Sequence, residues 1–187
     1  MATSPFLAAL QATVADLRAT VQTEFAALDP DLLNQRLAPT SWSILECLAH
    51  LNAYSRYYNA AFAQALARPG TGPAAAEVAY SWLGRKSIAL MHPTNRSKQK
   101  ALKRLNPLGS RLGAEVLQEF DQHQARLLAL LAQAVSADLN RSAVPVEFFR
   151  LLRLRLGEAL EFVVVHQQRH VQQAQRVQAS LRPELAC

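Results

Sequence analysis

Cysteine, glycine and aromatic side chains are all scarce in this chain. Its 187 residues include two cysteines (Cys47 and Cys187), six glycines and 7% aromatics. Two cysteines make no disulfide framework, so a reducing cytoplasm is the default compartment. No apolar run approaches the ~20 residues of a membrane span, and short runs such as 162–165 read as core, so no membrane partner is expected. The opening Met-Ala-Thr-Ser-Pro-Phe lacks the basic start and cleavage pattern of a secretory signal, which again points to the cytoplasm. No nucleophilic triad, phosphate-cradling glycine loop or paired-carboxylate site can be recognised, and there is no repeat or low-complexity tract.

What is present favours helices. Half of the residues are apolar, with Ala and Leu dominant, and the length fits one domain over 1–187 with a sizeable core. The net charge of +6 is local. Eight of the 20 basic residues (Arg85, Lys86, Arg96, Lys98, Lys100, Lys103, Arg104 and Arg111) lie in a segment without a single acid, while the other 12 face 14 acids. Such a segment reads either as a solvated loop or as a lure for an anionic cosubstrate. Nucleic acid is not an expected partner, because no aromatic residues interleave the charges.

In chain order, Ser4-Pro5 reads as a cap with proline at the first helical position. Apolar residues at helical spacing from Phe6 to Leu28 predict a helix over about 5–28, closed by Asp29-Pro30. A turn over 31–37 leads to Ser41-Trp-Ser-Ile-Leu-Glu-Cys-Leu-Ala-His50-Leu51. There Ser43 and Glu46 have capping-box spacing, and Trp42 and Cys47 are placed for a hydrophobic staple. A second helix is expected over 44–67, stopped by the breakers of 68–73. A short helix fits within 74–92, followed by a basic crossover over about 85–109 with helical fragments. A helix at about 110–136 and a loop over 138–145 precede the final helix, which starts at about Glu147 or Gly157 and runs to 181, with Gly157 a place for a bend. Four long helices and one long crossover make an all-α four-helix bundle.

The chemistry concentrates near the C-terminus. His166 and His170, four residues apart, can present both imidazoles to one point. They continue the seam Leu156, Ala159, Val163, His166, His170, Gln173, Val177. From spacing alone, a metal pair and a pair of hydrogen-bonded core histidines are equally good readings. For a metal, the third ligand is His50 on the second helix, whose face runs Cys47, His50, Tyr54, Tyr57 or Tyr58. Three neutral imidazoles leave a fourth position for water or substrate, and they suit zinc and nickel alike.

The blocks 42–51, Leu156-Gly-Glu-Ala-Leu160 and His166-Gln-Gln-Arg-His170-Val-Gln-Gln173-Ala-Gln-Arg176-Val177 together resemble the DinB-like (YfiT-like) family of four-helix-bundle proteins. The likeness spans most of the chain. It implies a divalent ion, zinc or nickel, on His50, His166 and His170, and a homodimer. The implied activity is that of a metal-dependent enzyme on a small-molecule substrate, either a hydrolase or a transferase using a low-molecular-weight thiol. The alternative is a non-catalytic bundle with a degenerate or empty site. Where many relatives carry a His-Pro and a Gly-Leu-Thr-like turn before the last helix, this chain has Val144-Pro-Val-Glu147-Phe-Phe149 and the basic Arg150-Leu-Leu-Arg-Leu-Arg155.

Other residues have plainer readings. His92 and His123 are expected to face solvent. Cys47 is expected to be a small core residue, though its face allows a fourth, soft ligand. Glu46 caps its helix, Tyr54 and Tyr58 pack or border the pocket, and Gln173 and Arg176 either orient the ligands or pair across a dimer.

Overall fold

The computed structural model describes residues 2–68, 76–95, 97, 101–147 and 149–181. Cys187, Arg96, Lys98 and Lys100 lie outside the described residues. The described residues form six α-helices and one β-hairpin: α1 (Thr3–Glu24), α2 (Pro30–Asn34), α3 (Ile44–Ala67), α4 (Trp82–Met91), α5 (Glu115–Gln133), the strands β1 (Ser142–Val146) and β2 (Phe149–Arg155), and α6 (Leu156–Leu181). The four long helices, α1, α3, α5 and α6, form the bundle. None of the described helices is long and apolar enough to cross a membrane.

Each long helix turns a spaced apolar stripe inward. On α1 the stripe is Phe6, Leu7, Leu10, Val14, Leu17 and Val21; on α5 it is Val116, Phe120, Leu127, Leu130 and Leu131. Burying one such Leu or Phe contributes roughly 1.5–3 kcal/mol, which outweighs the weak propensity differences along the chain. Asn52 Nδ2 donates to the Val116 carbonyl at 2.9 Å and Asn59 Nδ2 to the His123 carbonyl at 3.1 Å. The step is the same on both helices, so α3 and α5 run parallel, as a long crossover between them allows. Against α6 the order reverses: His50 meets His170, and Tyr58 meets Phe162. The apolar core is divided into two clusters, one around Phe62, Leu130 and Leu160, the other around Leu48, Phe120 and Val177.

Several boundaries differ from expectation. The last helix begins at Leu156, next to the later of its two expected starts, Gly157, and not at Glu147, because 142–155 forms an antiparallel hairpin. The alternation of Leu152 and Leu154 with Arg153 and Arg155 has a strand's period, and Leu154 is buried between exposed Arg153 and half-buried Arg155. The loop expected over 138–145 is therefore half strand. Gly157 marks no bend; it lies in the first turn, where an added Cβ would press on Val78 and Leu139. The Glu158 carboxylate accepts the amides of Arg155 and Ser81, closing the starts of α6 and α4 together. At the other end, α1 starts at Thr3 with Ala2 as its cap and no side-chain bond, so Ser4 is not the cap. Helix α1 stops at Glu24, four residues early. The turn expected over 31–37 contains the short α2, capped by Asp29. The third long helix starts at Glu115 rather than 110, and a 3₁₀ turn carries it from Ala134 to Ser136. The crossover does contain helical fragments, α4 and a 3₁₀ turn at Lys103–Leu105.

Candidate metal centre

The capping box predicted at the start of α3 is formed. Ser43 Oγ accepts the Glu46 amide at 3.2 Å, and Glu46 Oε2 accepts the Ser43 amide at 2.8 Å. This fixes where α3 begins and so turns His50 into the bundle. Glu46, with no exposed surface, also takes the Arg36 guanidinium at 2.7 Å and the Gly109 amide at 2.6 Å. Desolvation opposes its charge, but Arg36 and the amides of Ser43 and Gly109 outweigh that and hold the carboxyl below its ordinary range. Glu46 is thus a fastening rather than a base.

His50, His166 and His170 converge. One nitrogen from each lies within 4.8 Å of those of the other two, and His50 Nε2 stands 3.3 Å from His166 Nε2. His50 and His166 are 3% exposed, while His170 keeps more surface and stands at the rim. Two of the rings have a fixed orientation. His50 Nδ1 donates to the Leu105 carbonyl at 2.7 Å, and His170 Nδ1 donates to Gln173 Oε1 at 2.9 Å. A neutral imidazole that gives its Nδ1 proton to a fixed acceptor leaves Nε2 a bare lone pair.

Electrostatics keep these rings neutral. Burial pushes His50 down to about 4, against the pull of the Leu105 bond. Burial and the neighbouring His50 push His170 down to about 3. His166 lies well below its ordinary value, through burial first and then through repulsion from His170, His50 and Arg169. A bare His50 Nε2 pointing at His166 Nε2 from 3.3 Å is repulsive unless a proton or a cation lies between them. Two imidazoles at ~2.0–2.1 Å from one tetrahedral ion stand roughly 3.3 Å apart. The donor set therefore fits a divalent ion that accepts imidazole nitrogen.

Aromatic rings wall the cluster. Trp42 lies 4.7 Å from His50 and 5.5 Å from His170, and its Nε1 donates to Asn106 Oδ1 at 3.0 Å. Tyr54 lies 4.9 Å from His50 and 4.4 Å from His166. Burial and nearby Glu147 push its hydroxyl up to about 12, so it stays a phenol at neutral pH. Tyr54 thus borders the site, whereas Tyr58 is packed in the core, its hydroxyl accepting the Glu147 amide at 3.3 Å. Arg169, on the turn between the two α6 histidines, donates to the carbonyls of His92, Asn95 and Ser97, tying the crossover to α6.

The remaining candidates separate cleanly. Cys47 is fully buried in the apolar core and outside the three-histidine group, and burial raises its thiol pKa, so it packs and does not ligate. His92 is exposed. His123 is only partly exposed, its ring 3.1 Å from Glu119 Oε1. Gln173 orients His170, as one of its two readings held; Arg176 is exposed. The Leu105 carbonyl went unseen in the sequence because every residue carries one. Trp42 was read only as a staple, although its position before the capping box placed it at the same helix end as His50.

Comparison with known proteins gives two findings. The sequence profile of the DinB superfamily matches residues 9–174. Among solved structures, the chain is similar to YfiT from Bacillus subtilis, described as a probable metal-dependent hydrolase with an unusual four-helix bundle topology. The two share 14% sequence identity and a TM-score of 0.61, over 94% of this chain and 87% of that one. No curated protein sequence matches.

Proposed function

Since the chain belongs to the DinB superfamily, we propose that it is a metal-dependent enzyme whose divalent ion, zinc or nickel, is held by His50, His166 and His170. The observation that carries this reading is the convergence of three buried neutral imidazoles, two with their Nδ1 protons already engaged. A divalent ion there supplies a Lewis acid that makes water or a thiol a nucleophile near neutral pH. The chain's own residues do the rest. Leu105 and Gln173 orient the donors, and burial keeps protons off them. Trp42 and Tyr54 shield the cluster from bulk water, and the Tyr54 hydroxyl remains available as a donor.

Hydrolysis is the reaction class we favour, in keeping with the description of YfiT, whose fold this chain shares. Transfer from a low-molecular-weight thiol is the second reading. It draws on Lys103 and Arg104 of the crossover, the latter already paired with Glu147 at 2.9 Å beside the site. A homodimer in the cytoplasm completes the proposal. The test is metal analysis of the purified protein beside His50→Ala and His170→Ala. Stoichiometric metal in the wild type and its loss from both variants supports the reading; equal metal content in all three removes its basis. Native mass spectrometry of the same samples reports the subunit number.

A further inference from the structure

The imidazoles are not the only polar side chains in the middle of the bundle. One apolar cluster runs inward to Val14, Tyr58, Leu127 and Val164. The other stops at Leu17, Leu51, Phe120 and Val171. Between them lie Asn52 and Ser55 on α3, Gln124 on α5 and Gln167 on α6, none more than 2% exposed. They form a layer of neutral amides and a hydroxyl across three helices, at the height of the histidines.

Little in this layer is satisfied by protein. Asn52 Nδ2 donates to the Val116 carbonyl at 2.9 Å, and Gln167 Nε2 reaches Ser55 Oγ at 3.5 Å. Asn52 Oδ1, Gln167 Oε1 and both polar atoms of the Gln124 side chain meet no hydrogen-bonding group among the described residues. Buried amides without a protein partner pair with ordered water in folded proteins, because leaving them bare forfeits the bond they make in the unfolded chain.

We propose that the bundle binds water internally in this layer, centred on Gln124. Asn52, Ser55, Gln124 and Gln167 carry no ionisable group, which argues against an ion as occupant. Three unpartnered acceptors and one unpartnered donor group call for a neutral molecule that both gives and receives hydrogen bonds. Three acceptors also exceed the two protons of a single water, so one molecule does not satisfy all of them. The proposal does not depend on a metal at the imidazole cluster.

The test is oxygen-17 magnetic relaxation dispersion on the full chain after chelator treatment, so that no ion-held water contributes. Wild type and Gln124→Leu are compared. The wild type is expected to show long-lived water, with an amplitude that falls by at least one molecule in the variant. Equal amplitudes, or none in the wild type, overturn the proposal. Should Gln124→Leu fail to fold, a high-resolution crystal structure of the wild type decides. Water within hydrogen-bonding distance of the Gln124 amide supports the proposal, and amides bonded directly to one another with no water between them overturn it.

Discussion

The two halves of the histidine cluster are built in different ways. On α6 everything is local: His166 and His170 are one turn apart, and the partner that orients His170 is Gln173, three residues on. On α3, His50 depends on distant chain. Leu105 receives its proton, Gly109 and Arg36 hold Glu46 at the start of its helix, and Asn106 steadies Trp42 beside it. Arg104 binds Glu147 of the hairpin turn, and Leu112 and Asn34 exchange bonds in both directions. The irregular stretch from Arg104 to Leu112 is therefore the outer support of the α3 half. A ligand pair on one helix needs only helix geometry, whereas the third ligand needs the tertiary fold.

Acidification should break both halves at once and have the largest effect. Above pH 6.5 the three imidazoles are neutral in the folded and the unfolded chain. As pH falls below 6.5 the unfolded chain takes up protons that the folded one refuses, so stability falls, down to about 4 for His50 and about 3 for His170. Between pH 6.5 and 5.5 the carboxylates stay almost fully ionised in both states, and a falling thermal midpoint of chelated protein in that window reports the histidines. A flat midpoint would mean the rings are wet.

Glu46→Ala should damage the remote half selectively. It strands Arg36 and the Ser43 and Gly109 amides, costing about 3 kcal/mol. Urea denaturation reads that loss, and weaker metal uptake should accompany it as the connection loosens. A variant as stable as the parent would show that the fastening is dispensable.

The local half shows how much was legible beforehand. The four long helices followed from apolar spacing, and α3 from its capping box. The α6 histidines followed from a seam that α6 realises with His166 buried and His170 at its edge. The hairpin was missed because its alternation is interrupted by Pro145 and by an irregular register at Val146. The Leu105 carbonyl was missed because no side chain announces a backbone acceptor.

Gln173→Ala sharpens the contrast, since it should leave the fold within ~0.5 kcal/mol of wild type while weakening metal binding about 10–100-fold. Competition titration against a chelating dye measures that, and unchanged affinity would sink the orienting role. Asn106→Ala should have the smallest effect, a loss of about 0.5–1 kcal/mol in thermal unfolding from the exposed bonds that its Oδ1 accepts from Trp42 Nε1 and the Leu108 amide. A cost well above that would mean Asn106 supports more of the connection than these two bonds.

The chain has two tryptophans, in opposite settings. Trp82 is 70% exposed on α4, while the Trp42 indole lies against His50 and His170. Iodide in solution can silence the emission of the first and leave the second. The residual fluorescence then belongs to a ring within contact distance of two of the three donors, so the arrival of a cation can be followed optically without attaching a dye.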